Sequence, residues 1–159
     1  MRVIAVDPGY DRLGVAVLEH GDGGSEKLIH STCIETDATA TLPARMHTLG
    51  TAFDALLDTY APDALAIETL FFNKNQKTAV GVAQARGVCI YLAGTHNCTI
   101  YEYGPQEIKI AVTGYGGSNK TQVIDMVRRL IPTAPEKALD DEYDAIAVGI
   151  TCLACNRQH

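Results

Sequence analysis

Arg2-Val3-Ile4-Ala5-Val6-Asp7-Pro8-Gly9-Tyr10-Asp11-Arg12-Leu13-Gly14-Val15-Ala16-Val17-Leu18 decides the fold of this 159-residue chain. Two apolar runs, Val3 to Val6 and Leu13 to Leu18, flank a Pro8-Gly9 turn, the pattern of two strands joined by a short connection. Asp7 ends the first run. A carboxylate at the end of a buried strand is costly to desolvate unless it is paired, hydrogen-bonded or bound to a cation. The rest of the chain must therefore supply Asp7 with a partner.

Working outward, Gly21-Asp22-Gly23-Gly24-Ser25 is a turn cluster and Lys27 to Glu35 a third strand, so the chain opens as an antiparallel meander. Thr41 can cap a helix with Pro43 in its first turn. Met46, Leu49, Phe53, Leu56, Leu57 and Tyr60 follow at helical spacing. Ala64 to Ile67 is a fourth strand, and it too ends on an acid, Glu68. A helix is expected over about 76–93, a fifth strand over 99–103 and a short helix over 106–112. Gly114 to Ser118 reads as a flexible loop, and a helix over 119–131 turns Val123, Ile124, Val127 and Leu130 inward. The last helix begins near Asp140. Strands separated by helices require crossovers and parallel pairing. The expected class is α/β: a mixed five-stranded sheet, three antiparallel strands then parallel crossovers, flanked by helices in a single domain over 1–159.

No apolar run reaches the ~20 residues of a membrane span, and Met1-Arg2 leads into a short strand rather than a secretory leader. A cytoplasmic protein without a membrane partner is expected. Cys33, Cys89, Cys98, Cys152 and Cys155 fit that compartment as reduced, mostly core residues, and the Cys152/Cys155 pair reads as helix packing rather than a redox or zinc motif. The net charge of −6 is unevenly spread. Residues 1–73 carry four basic against eleven acidic side chains, a net of −7, while residues 74–129 carry seven against three, a net of +4. Phosphate contacts depend on local charge, so the middle block is the candidate nucleic-acid surface.

Asp7 and Glu68 would sit at the carboxyl ends of neighbouring strands. On the last helix, Asp141 with Asp144, or Asp140 with Asp144, would share a face, and spacing alone does not choose between them. Such a cluster suits hard divalent cations, two of which can lie ~3.5–4 Å apart. Ser118 or Asn119 can cap the helix that carries Lys120, placing a lysine and free N–H groups beside a Gly-rich loop. Phe71 and Phe72, followed by Asn73-Lys74-Asn75, offer an exposed ring for stacking on a base. Lys109 suits either a solvated face or a phosphate.

Val6-Asp7-Pro8-Gly9 with Leu13-Gly14-Val15, Ala66-Ile67-Glu68 with Phe71 and Asn73-Lys74-Asn75, Gln84-Ala85-Arg86-Gly87-Val88, Gly117 to Lys120 and Asp141-Glu142-Tyr143-Asp144-Ala145 together carry a resemblance. Over nearly its whole length the chain resembles the RuvC-type Holliday-junction resolvases, which are ribonuclease H-like. The resemblance implies an endonuclease that resolves four-way DNA junctions by metal-dependent hydrolysis during recombination and repair. Asp7, Glu68, Asp141 and Asp144 would hold two Mg2+ or Mn2+ ions, with Asp140 a bystander. Lys120 and Lys109 would serve the scissile phosphate, and Phe71 would stack on junction bases. Phe72, Lys74, Lys77 and Arg86 are further candidate DNA contacts. A homodimer is implied, with the helix after Glu68 (Ala79, Ala83, Gly87, Ile90) at the contact, and so is a branch-migration motor complex as partner. Pre-ribosomal RNA nucleases of the same architecture share Asp7 and Leu13-Gly14-Val15-Ala16, but the segments 71–75 and 84–88 disfavour them. The complete acidic quartet disfavours a binding module without activity.

Overall fold

The computed structural model describes residues 1–70 and 76–156, without the side chains of Asp22, Gln76 and Lys77. Its elements run β1 (Arg2–Asp7), β2 (Arg12–His20), β3 (Glu26–Glu35), α1 (Leu42–Tyr60), β4 (Ala64–Glu68), α2 (Gln76–Thr95), β5 (Thr99–Tyr103), α3 (Pro105–Thr113), α4 (Lys120–Leu130) and α5 (Asp140–Cys155). They form the expected sheet, in the order β3-β2-β1-β4-β5. β1 pairs antiparallel with β2, which sets Asp7 opposite Gly14. It pairs parallel with β4, with Val6 opposite Ile67, so Asp7 and Glu68 end adjacent strands together.

Alternation divides the central strands between two cores. Ile4, Val6, Leu13, Val15, Leu65 and Ile67 pack with Leu49, Phe53 and Leu57 of α1 and Ala85, Cys89 and Ala93 of α2. Val3, Ala5, Ala16, Leu18, Ala64 and Ala66 pack with residues of α3, α4 and α5. α5 is apolar nearly all round from Tyr143 to Leu153, as a helix sandwiched between a sheet and other helices must be. Small residues let it lie close on β1 and β2. A Cβ at Gly149 would fall 2.3 Å from Leu18 Cδ1, and one at Gly14 would fall 1.9 Å from the Asp141 carbonyl oxygen. The second approach fixes where α5 begins relative to Asp7.

Several expectations need correction. Leu130 is exposed, and Ile131, one residue past the helix, takes the buried place. Cys152 is buried but Cys155 is exposed, because α5 leaves the core within its last turn. The loop over 114–118 is pinned rather than loose: Ser118 Oγ lies 2.7 Å from Thr113 Oγ1 and donates to the Tyr115 carbonyl at 2.8 Å. The α2 stripe expected at a dimer contact is not overturned: Ala79, Ala83, Gly87 and Ile90 are half-buried or exposed, and among the described residues of α2 it is Gly81, Ala85, Cys89 and Ala93 that are buried.

One buried charge went unanticipated. Arg45, on the inner face of α1, clamps the turn that follows Asp7. Its guanidinium pairs with Asp11, donates to Thr36 Oγ1 at 2.9 Å and lies 4.7 Å from the Tyr10 ring centroid. Thr36 Oγ1 donates to the Tyr10 carbonyl at 2.6 Å. The β1–β2 connection is thereby held from two sides.

Candidate active site

The carboxyl ends of the central strands β1 and β4 and the first turns of α5 meet at one end of the sheet. Each delivers its acid for a local reason. Asp7 and Glu68 sit where buried apolar strands stop, Asp141 lies over Gly14, and Asp144 follows three residues along α5.

The acids feel one another strongly. Asp7 is pushed up to about 7, first by burial and then by the charges of Asp144, Glu68 and Asp141, with Lys120 opposing. Glu68 is raised by burial and by Asp144, and the Lys109 charge opposes the shift. Asp144 is raised by burial and by Asp141 and Asp140, although its contact with Lys120 pulls the other way. The four acids are one electrostatic unit.

Two cations moderate it. Lys120 Nζ stands 3.1 Å from Asp144 Oδ2 and 3.3 Å from Asp140 Oδ2. Burial lowers the Lys120 ammonium, but those two carboxylates outweigh burial and leave it raised. Lys120 opens α4, whose cap is Asn119 rather than Ser118: Asn119 Oδ1 accepts from the Gln122 N–H at 3.0 Å, and Gln122 Oε1 accepts from the Asn119 N–H at 2.9 Å. Asp140, expected as a bystander, shares the lysine. The second cation is Arg12, whose Nε lies 3.2 Å from Asp141 Oδ2. Arg12 opens the strand beside Asp7, but its partner lies far along the chain on α5.

The donor set is all carboxylate oxygen, which suits Mg2+ or Mn2+ rather than softer metals. Among the described residues Asp141 Oδ2 is buried and accepts no hydrogen bond, its one close cation being the Arg12 guanidinium, so a metal ion could take it over. No three His, Cys, Asp or Glu side chains among the described residues are drawn tightly enough together to grip an ion as they stand. Asp144 is paired instead with Lys120, and Asp141 with Arg12. The residues fit the group, while the cage is open.

Two clefts meet at Glu68 and Pro105. One, of roughly 220 Å3, includes Lys109, Lys120, Val123 and Asp144 in its lining, and the other is lined by Asp7, Pro8, Thr69 and Leu70. Both expected lysines thus border the acids. Arg86 is differently used: its guanidinium pairs with Glu102 and reaches the Glu68 carbonyl at 3.4 Å, so it secures the end of β4 rather than presenting open donors. Phe71, Phe72 and Lys74 lie outside the described residues, as does the Lys77 side chain.

A mixed five-stranded sheet of this order, with acids ending its first and fourth strands and opening the last helix, defines the ribonuclease H-like class. Within that class, the model of the family described as crossover junction endodeoxyribonuclease RuvC matches residues 3–152, and the chain belongs to that family. It is 39% identical over 151 residues to the crossover junction endodeoxyribonuclease RuvC of Brevibacillus brevis, covering 95% of this chain and 90% of that one. It is 41% identical to that of Thermosipho melanesiensis, covering 97% of each. The structure of Thermus thermophilus RuvC in complex with a Holliday junction substrate superposes with a TM-score of 0.88 at 27% identity, covering 95% of this chain and 92% of that one.

Proposed function

We infer that this chain is a structure-selective endonuclease that resolves four-way DNA junctions by symmetric phosphodiester hydrolysis in recombination and repair. One observation carries this function: four carboxylates that feel one another's charge, Asp7, Glu68, Asp141 and Asp144, gathered beyond the carboxyl ends of the central strands of a RuvC-family chain. They would hold divalent cations, Mg2+ or Mn2+ and two per site. A bound cation of this kind lowers the pKa of water and stabilises charge on phosphate oxygens.

The protein's own residues do the rest. Asp7 and Glu68 extend from the ends of paired central strands, which sets where their backbones present the two carboxylates. The Arg45 clamp and the Gly14 contact hold the Asp7 turn and α5 in register with them. Lys109 and Lys120, bordering the cleft with Glu68 and Asp144, would place a phosphate against the carboxylates. The 5′-phosphate and 3′-hydroxyl would be the cleavage ends. Lys120→Ala is expected to leave junction binding nearly intact and to slow single-turnover cleavage at fixed magnesium by about 100-fold, comparable to removal of one preorganised donor. A rate on saturating junction equal to wild type would make Lys120 a surface residue.

Cutting two strands of like polarity requires two sites, hence a homodimer. The outer face of α2 supports one. Val80 and Tyr91 are exposed there, Gly87 has open space above it, and a groove of about 700 Å3 between α1 and α2 includes Met46, Gly50, Val88 and Leu92. Phe71 would stack on junction bases, with Phe72, Lys74 and Lys77 as adjoining contacts. A single nuclease domain over 1–159, acting in the cytoplasm and serving a branch-migration motor, completes the proposal. Among the described residues no helix is long and apolar enough to cross a membrane. The test is incubation of purified protein and magnesium with a labelled four-way junction, a matched linear duplex and a matched RNA. Paired symmetric nicks confined to the junction are expected; preferential cleavage of the RNA would overturn the assignment.

A further inference from the structure

Asp141 takes its counter-ion from β2, whereas Asp144 takes its own from α4. Arg12 Nε lies 3.2 Å from Asp141 Oδ2, a buried oxygen that accepts no hydrogen bond among the described residues. Neither backbone can retreat. The Asp141 carbonyl rests on Gly14, and the Arg12 carbonyl closes over Gly9, where a Cβ would fall only 2.2 Å away. Arg12 is also paired with Glu35 in the β2–β3 ladder. Only side chains can change partners here. The Arg12 side chain is 46% exposed and that of Asp141 24%, so the arginine is the freer of the two.

We propose that Arg12 is a transferable counter-ion, which holds Asp141 while the site lacks a cation and turns to a phosphate of the bound DNA strand when a cation takes Asp141. The chemistry requires an exchange of this sort. A divalent ion and a guanidinium compete for the same carboxylate oxygen, and the displaced guanidinium is left beside an anionic substrate. Its planar fork matches phosphate as well as carboxylate, and a long exposed side chain can reach either. The exchange would link the two binding events, since whatever frees Arg12 strengthens DNA binding and whatever engages Arg12 on DNA strengthens cation binding.

The inference rests on the four carboxylates being cation ligands. Its test begins with calorimetric titration of Mn2+ into the metal-free protein without DNA. Arg12→Gln is expected to bind Mn2+ about three- to fivefold more tightly than wild type, the range of a half-exposed ion pair, and Arg12→Lys to stay near wild type. Junction affinity is then measured with calcium and with chelator. The gain that calcium gives wild type is expected to shrink at least about threefold in Arg12→Gln. Equal or weaker Mn2+ binding by Arg12→Gln would overturn the inference, and so would an undiminished calcium-dependent gain. Asp7→Asn titrated alongside separates the two levels. Binding lost there while Arg12→Gln matches wild type removes only the role of Arg12. Wild-type Mn2+ binding by Asp7→Asn overturns the ligand assignment, and the inference with it.

Discussion

Asp7→Asn and Glu68→Gln are each expected to cut a four-way junction at least about 1,000-fold more slowly than wild type while binding it as tightly or more so. Both changes preserve shape and remove one anionic oxygen donor, so the strand ends stay packed and the cation site loses a ligand. Both also remove a negative charge from a surface that meets phosphates, which favours binding. The two effects run in opposite directions, which makes the pair diagnostic. Measured rates on synthetic junctions near the wild-type value would remove these residues from the chemistry. Lost binding together with lost cutting would mean that they serve the fold instead.

The second large effect concerns stability without metal. Asp7, raised from 3.8 to about 7, is neutral in both folded and unfolded protein only below about pH 3. Between there and about pH 7 the unfolded chain releases a proton that the folded protein keeps, so stability falls as pH rises and levels off above the folded value. Asp7→Asn abolishes that loss. With chelator present, the variant is expected to match wild type at about pH 3 and to exceed it by about 2–4 kcal/mol at pH 8, a Tm difference of roughly 5–15 °C for a chain of this length. Thermal melts at the two pH values check this. A variant no more stable than wild type at pH 8 would mean that the Asp7 carboxylate is comfortably solvated.

An inactivating change that stabilises the protein is the signature of an acidic site held together against its own charge. Much of that arrangement was legible in the residues. Two apolar runs stopping on Asp7 and Glu68 gave adjacent strand ends once the second connection was read as a crossover, and the β1–β4 register confirms it. Asp140 and Asp141 could not be separated by spacing because both open the same helical turn; the contact of the Asp141 backbone with Gly14 depends on how closely α5 lies on β2, which is set by packing. Arg45 and Arg12 escaped for a related reason. Each finds its partner across a long loop or another element, Asp11 from α1 and Asp141 from β2, and local periodicity carries no trace of such pairs. Leu130 misled because the helix ends there, and Ile131, no longer in helical conformation, turns back into the core instead.

Whether the four carboxylates act as one cation site is tested most directly by melting the wild-type protein at pH 8 across a magnesium titration. A saturable rise in Tm, as ligand linkage requires, is expected for wild type and should be lost in Asp7→Asn. A wild-type Tm that magnesium leaves where it was, or an equal rise in Asp7→Asn, would contradict it.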